Sequence, residues 1–349
     1  MDANHMNIPL MEMLGRPAFL VKDDMIVHTN AHAKGLLIAT GEPVGQYLGR
    51  ELETFHQFQN GCLYLSIHLD NLPYGASVTK LGEYDLFVLD SLGNDAGRSM
   101  ALCAQTLRSY LNNVYSVTDA VRDARKYSEV AKGLNQMHRT INNMADLIRY
   151  ENMDGLHLET VELFSLFREI IEQAQATTAG HGISIRYTAL PQTVIGQADR
   201  TLLERAVLNM ISNAVKFSPK GAVVDAKLTR NEHSLIFTLT DQGDGIPPEV
   251  LSNIFTRYLR EPSIEDGRRG VGLGLAIVRS AAIIHGGTVL FEQPAGGGTR
   301  VTLTISLSPP CENILRSPIC TPSTDYAGGH DHSLLELSDV LPAAVYKNF

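Results

Sequence analysis

Asn209-Met210-Ile211-Ser212-Asn213-Ala214-Val215-Lys216-Phe217 is the stretch on which the reading of this chain turns. Its two asparagines are spaced i and i+4, so on a helix they share one face. An amide oxygen at Asn213 can meet a magnesium ion that keeps most of its water and bridges nucleotide phosphates. Lys216 can present an ammonium to phosphate oxygens, and Phe217 can lay its ring against a purine. The helix is predicted to end at Ser218-Pro219-Lys220-Gly221, where proline and glycine break the pattern.

Downstream, Leu235-Ile236-Phe237-Thr238-Leu239-Thr240 reads as a strand that delivers Asp241 to its end. In Asp241-Gln242-Gly243-Asp244-Gly245, the two glycines let the backbone close against a flat ring. A carboxylate there can accept a hydrogen bond from an exocyclic amine, which guanine does not offer in the same place, so adenine is the expected base. Further on, Gly270-Val271-Gly272-Leu273-Gly274-Leu275 leads into an apolar helix through Ile284. Glycines before a helix start expose backbone N–H groups where the helix dipole favours phosphate. Alone, such a run reads equally well as a tight turn packed on a sheet. A dinucleotide fold needs a strand directly before the glycines and an acidic residue about 20 positions after them. Here polar residues 261–269 precede the run and His285-Gly286-Gly287 follows the helix, so that fold is excluded.

Residues 190–307 resemble the catalytic ATP-binding domain of bacterial sensor histidine kinases, with the Bergerat-type fold shared with gyrase and Hsp90-like ATPases. Residues 209–217 match the family's N box, 241–245 its G1 box, 254–260 its F box and 270–275 its G2 box. His285-Gly286-Gly287-Thr288-Val289 and residues 296–303 resemble its closing strand pair. The resemblance implies ATP and Mg²⁺ as ligands, with Asp241 on adenine, Asn213 on Mg²⁺ and Arg260 near the terminal phosphate. It adds Asn209, Lys216, Phe217, Gly243, Gly245, Gly270, Gly272, Gly274 and Leu275 to the nucleotide site. Leu259 departs from the aromatic residue usual in the F box.

The chain has 349 residues, 44% hydrophobic and 19% charged, as a globular protein of two or three domains would have. No apolar run approaches the roughly 18 residues needed to span a bilayer, and the N-terminus lacks the features of a signal peptide. A cytoplasmic location is therefore expected. Cys62, Cys103, Cys311 and Cys320 form no C-x-x-C pair, which argues for reduced thiols over a disulfide framework or zinc site. A net charge of −9 argues against general nucleic-acid affinity.

Two helical patterns precede the ATP-binding segment. Ala104, Leu107, Leu111, Val114, Thr118 and Val121 recur at helical spacing, then Val130, Leu134, Met137, Ile141, Met144 and Ile148, with a polar break over 123–128. Two such helices make a hairpin whose apolar stripes are too narrow for a core alone. Pairing with a second copy into a four-helix bundle solves this, and packing on neighbouring domains of the same chain is the alternative.

That hairpin resembles the family's dimerisation and phosphoacceptor domain, whose H box reads S-H-E-[LI]-R-[TN]-P-L. Here Ala104-Gln105-Thr106-Leu107-Arg108-Ser109-Tyr110-Leu111 occupies it, with Gln105 in place of the phosphorylated histidine and Thr106 in place of its acidic neighbour. A glutamine amide has no basic lone pair to attack a γ-phosphoryl group, and threonine is no carboxylate base. Autophosphorylation at that site is therefore expected to be absent. His138 on the second helix, and His330 with His332 near the end, read as structural rather than as an acceptor or a metal pair.

Residues 1–95 read as a small mixed domain resembling a degenerate PAS sensor. A strand pair flanks Lys22-Asp23-Asp24, a helix opens at Asn30-Ala31, and strands follow over 61–69, 76–81 and 84–90. After Leu307, prolines mark a linker, and 333–341 has the pattern of a short amphipathic helix.

The expected architecture is α+β. It comprises a PAS-like α/β sensor domain (1–95), a helical-hairpin dimerisation domain (96–155), an α/β-sandwich ATPase domain (156–308), and a linker with a C-terminal tail (309–349). The implied function is two-component signalling by a homodimer that binds Mg-ATP as a pseudokinase, with a response regulator or another kinase as partner. The alternatives are a protein kinase acting on a partner's histidine or serine, and a non-catalytic dimeric binding module.

Overall fold

The computed structural model describes residues 11–12, 14–69, 72–89, 107, 124–151, 156–190, 193–247, 273–307 and 331–346. The first helix of the expected hairpin, with Gln105 and Thr106, lies outside them apart from Leu107. So do Cys103, Cys311, Cys320, His330, the F box with Arg260, and Gly270 and Gly272.

The N-terminal unit runs β1 (Ala18–Lys22), β2 (Met25–Thr29), α1 (Ala31–Gly35), α2 (Gly45–Leu48), α3 (Leu52–Gln57), β3 (Cys62–Leu69), β4 (Leu72–Leu81) and β5 (Tyr84–Leu89). The β1–β2 turn places Asp23 and Asp24 at φ 49° and 61°. Aspartate tolerates this left-handed conformation, and such turns match the twist of paired strands. Asn30 then fastens the helix to the sheet: its Oδ1 accepts from the Ala33 N–H at 2.9 Å, capping α1, and from the Ala18 N–H at 3.0 Å, tying that cap to β1. The core centres on Phe87, stacked on Phe19 at 4.8 Å and tilted against Phe55 at 5.4 Å.

A long helix α4 (Ala124–Glu151) precedes the second unit: β6 (Glu159–Glu162), α5 (Leu163–Thr178), β7 (Ser184–Ala189), β8 (Ile195–Ala198), α6 (Arg200–Phe217), β9 (Val223–Arg230), β10 (Ser234–Thr240), α7 (Gly274–Ile284), β11 (Val289–Glu292), β12 (Arg300–Ser306) and α8 (His332–Glu336). β9 and β10 alternate buried and part-exposed residues, so Val224, Ala226, Leu228, Leu235, Phe237 and Leu239 face one core. The helices α5, α6 and α7 cover that face, with Phe167 of α5 against Phe237 at 5.2 Å. β6 and β8 form a separate two-stranded ribbon.

The two units share one ten-stranded sheet, in the order β2-β1-β5-β4-β3-β11-β12-β10-β9-β7. The seam is the antiparallel pair β3–β11, with Val289 opposite Tyr64 and Phe291 opposite Cys62. Along β3, Leu63, Leu65 and Ile67 belong to the N-terminal core, whereas Cys62 and Tyr64 belong to the core of the second unit. Side chains alternate across a strand, so a strand between two cores is apolar on both faces. The Arg279 guanidinium of α7 lies 5.1 Å from the Tyr64 ring centroid, adding a cation–π contact across the seam. Cys62 is buried, which pushes its thiol up to about 12, against a weak bond from Thr79 Oγ1 at 3.6 Å. This is an inert core cysteine.

Two local expectations are corrected, and one face of α4 packs in a way the apolar pattern did not indicate. α4 runs unbroken from Ala124, with Ser128 buried inside it, so there is no polar break at 124–128. The face of α4 that packs within the chain is largely polar: Ser128, Asn135, Arg139, Thr140 and Asn143 are buried beside Ala131 and part-buried Met144, while Leu134 and Ile141 of the apolar pattern are 44% and 45% exposed. The reason lies in its neighbours, which present charged groups of α6 and the C-terminal segment. Finally, the helix expected over 333–341 is only α8, capped by Asp331, whose Oδ1 accepts from the Leu334 N–H at 2.9 Å. Beyond Glu336 the chain leaves the helix, and Asp339 reaches Arg139.

Candidate functional site

α6 begins where Asp199 Oδ1 accepts from the Leu202 N–H at 2.9 Å. Asp199 is itself held by His285, whose Nε2 accepts from the Asp199 N–H at 3.0 Å while Nδ1 faces the Ala281 carbonyl at 2.7 Å. Neutral imidazole with its proton on Nδ1 satisfies both contacts. Burial holds His285 below the usual histidine value, against the opposing influences of the Ala281 carbonyl and the Asp199 carboxylate. The apolar face of α6 packs into the core through Leu202, Leu203, Ala206, Val207, Met210 and Ile211.

Asp241 follows the last residue of β10. Its N–H donates to the Thr299 carbonyl at 2.9 Å, and its Oδ1 accepts from the Gly243 and Thr299 N–H groups, both at 2.9 Å. Only 7% of the residue is exposed. Burial raises its carboxyl above the ordinary value, while these N–H donors pull the other way. A β-carbon at Gly243 would lie 2.5 Å from the Phe217 carbonyl oxygen, so the loop after β10 rests on the end of α6. A β-carbon at Gly274, the first residue of α7, would lie 2.5 Å from Asn209 Oδ1. Both positions require glycine. The fold thus joins Asp241 and Gly243 to Phe217, and Gly274 to Asn209. Farther along the loop Gly245 lies close to Gln293, Asn213 and Leu275 are part-buried, and Phe217 is 49% exposed. These contacts seat the loop after β10 and the first turn of α7 directly on α6, making a cradle around that helix.

The sequence reading missed a group of charges beside this cradle. Asn209 is wholly buried: Oδ1 accepts from Arg139 Nη2 at 2.8 Å, and Nδ2 donates to the Arg205 carbonyl at 2.8 Å and to Glu336 Oε2 at 3.1 Å. Glu336, also without exposure, accepts from Arg205 Nε at 3.0 Å and Arg139 Nε at 3.1 Å. Arg205 further meets Asn143 and Asp146 of α4. Asp339 accepts from Arg139 Nη1 at 2.8 Å and lies 3.9 Å from Lys216 Nζ. Burial would push Asp339 up, but Arg139, Lys216, Gln136 and Lys132 outweigh it and hold the carboxyl below its ordinary value. One signal was available: Arg205 stands i−4 to Asn209 on α6, and Glu336 interrupts an apolar run. Neither indicates that the two meet.

Residues 198–309 match the family model described as histidine kinase-, DNA gyrase B- and HSP90-like ATPase. Sensor protein KdpD of Clostridium acetobutylicum is 31% identical over 183 residues, 50% of this chain and 20% of that protein. Histidine protein kinase DivJ of Caulobacter vibrioides is 30% identical over 232 residues, 62% of this chain and 38% of that protein. The chain is a two-component histidine-kinase homologue. ATP binding goes with the domain that it carries over 198–309. Among solved structures, a mycobacterial sensor histidine kinase MprB is 33% identical, covering 43% of this chain and 97% of its own with a TM-score of 0.36. Histidine kinase ThkA, solved in complex with response regulator protein TrrA, is 15% identical, covering 86% of this chain and 98% of its own with a TM-score of 0.49. The homologue spans less than half the length of the curated relatives it matches here. No described helix is long and apolar enough to cross a membrane.

Proposed function

We propose that this histidine-kinase homologue binds Mg-ATP and signals as a dimer without phosphorylating itself at the usual position. The observation that carries the proposal is the pairing of Gln105 and Thr106 at the phosphoacceptor position with the complete N and G1 boxes at residues 209–217 and 241–245. In this reading Asp241 accepts from the adenine amine through its Oδ2, and Phe217 lies along the base. Lys216 meets phosphate, and Asn213 binds the Mg²⁺ that arrives with the nucleotide. Arg260, Gly245, Gly270, Gly272, Gly274 and Leu275 complete the nucleotide site by the resemblance. The close approaches at 243 and 274 support the reading, since they hold the loop after β10 and the start of α7 against the helix that carries the N box.

The N-terminal unit is the input domain, PAS-like in its antiparallel sheet with helices between β2 and β3. An open cleft of about 300 Å³ there is lined by Glu42, Gln46, Tyr47 and His68 together with Leu36, Leu37 and Leu69. The sheet continuity from β3 to β11 offers a rigid path from that unit to the nucleotide site, and a ligand that prefers one arrangement shifts the population toward it. The output partner is a response regulator or another kinase.

Incubation of the pure protein with γ-labelled ATP tests the proposal: stable nucleotide binding without acid-labile label on the chain is expected. Strong labelling that disappears in His138→Ala would overturn it. A second reading keeps phosphoryl transfer, with a partner supplying both the acceptor and its base; Gln105 favours it equally, because in-line attack needs only a positioned nucleophile. Label transfer to a purified response regulator or kinase partner separates the two.

A further inference from the structure

We infer that the C-terminal segment 331–346 is an internal competitor of nucleotide: Glu336 and Asp339 set carboxylates on the groups of α4 and α6 that would otherwise meet phosphate. This rests on the reading of α6 as the nucleotide helix. Asn209, Asn213 and Lys216 stand at i, i+4 and i+7 along it, so they share a face. On that face the segment takes both ends of the arrangement. Glu336 Oε2 accepts from Asn209 Nδ2 at 3.1 Å, and Asp339 Oδ2 lies 3.9 Å from Lys216 Nζ. Arg139 joins the two acids, giving Nε to Glu336 at 3.1 Å, Nη1 to Asp339 at 2.8 Å and Nη2 to Asn209 Oδ1 at 2.8 Å.

Guanidinium and ammonium groups bind carboxylates and phosphates through the same charge-assisted hydrogen bonds. A triphosphate arriving at Asn213 and Lys216 therefore meets the Asp339 charge directly and must share Lys216 with it. Lys132, Gln136 and Arg139 of α4 face Asp339 from one side and Lys216 of α6 from the other, so the acid is held from two elements. The segment is anchored by buried Leu335, Leu337, Leu341 and Tyr346, with the Tyr346 hydroxyl donating to the Leu334 carbonyl at 2.8 Å. Because Arg139 sits on α4, any shift of that helix changes the hold on both acids.

Linkage requires the effect to be reciprocal: if the segment weakens nucleotide binding, nucleotide must loosen the segment. The test uses the full chain. Calorimetric titration with Mg-ATP compares wild type with Asp339→Asn and Gln136→Ala, which loosen the segment from its part-exposed side, and with Glu336→Gln, which does so at the buried centre. Amide exchange of residues 331–346 is followed in wild type with and without saturating Mg-ATP. Affinity is expected to rise about fivefold or more in Asp339→Asn and in the same direction in Gln136→Ala. Mg-ATP is expected to speed exchange in 331–346. Measurable binding that is equal in wild type, Asp339→Asn and Gln136→Ala, or exchange that is unchanged or slowed by nucleotide, overturns the competitor role and leaves ATP binding intact. Absence of binding in every form at millimolar nucleotide overturns both. If Glu336→Gln does not fold, the other two variants decide.

Discussion

Gly274 and Asn209 meet so closely that a β-carbon on the first would stand 2.5 Å from the amide oxygen of the second. Residues 65 positions apart in the chain, each at the heart of a different motif, are thereby fixed to one another. The amide cannot step aside, because Arg139, Glu336 and the Arg205 carbonyl hold it. Gly274→Ala should therefore destabilise the protein by about 1–3 kcal/mol, as overpacking of a filled interior does. The chain contains no tryptophan, so urea unfolding is best followed by far-UV circular dichroism. A midpoint equal to that of wild type would mean that α7 shifts freely against α6.

Glu336 is shared by Arg205, Arg139 and Asn209, and it has no solvent exposure. Removing one partner of a buried charge network costs about 3–5 kcal/mol, since the charges left behind keep their desolvation without compensation. Glu336→Ala should lose that much in equilibrium unfolding. A loss below about 1 kcal/mol would assign the C-terminal segment's attachment to its leucines alone.

In the proposed nucleotide site, where Asp241 accepts from the adenine amine, Asp241→Asn would offer an amide donor in place of that acceptor. Such a mismatch costs about 1–3 kcal/mol, or roughly tenfold to a hundredfold in affinity. Asn213→Asp should act instead on Mg²⁺ dependence by adding a charge beside the phosphates. Titrations with ATP, ADP and GTP, with and without Mg²⁺, distinguish the two. Unchanged ATP affinity in Asp241→Asn would remove this residue from the site.

His285 predicts a pH dependence. Its folded value is held below the reference near 6.5, so below that reference the unfolded chain binds a proton that the folded chain refuses. Stability is then fully present above the unfolded value and falls as pH drops from about 6.5 toward the depressed folded value. Melting temperatures at pH 7.5 and 5.5 should differ more for wild type than for His285→Asn, which has nothing to titrate there. Equal differences would show that other groups govern the acid limb.

Tyr127, Leu134 and Ile141 are each more than 40% exposed and stand at heptad spacing on α4. A stripe of this kind is what a second copy would cover. Light scattering should give a dimer for wild type and a monomer for Leu134→Glu/Ile141→Glu. A dimer of unchanged mass in the variant would place the interface elsewhere.

Local signals made much of this molecule legible. The paired asparagines, the proline-glycine stop after Phe217 and the alternating strand before Asp241 each rest on a periodicity of a few residues, and each appears where those rules place it. The strands of the N-terminal unit were equally clear, because Asp23-Asp24 is a turn by its own chemistry. The helical pattern around 130–148 gave a helix correctly but did not show that its other, polar face packs within the chain. Hydrophobicity ranks faces by their affinity for an apolar core, and α4 packs on charges supplied by residues 205 and 336–339.

By itself, then, the sequence determined most of the elements and the order of the motifs over 209–275, both from local spacing. Tertiary structure alone decided that β3 pairs with β11 to make one sheet of two units, and that Glu336 closes on Asn209. Both are contacts between residues more than a hundred positions apart. Strand pairing uses backbone groups that every residue carries, and a buried carboxylate is stable only when specific cations surround it in three dimensions. Neither condition is written in the neighbourhood of the residues that meet it.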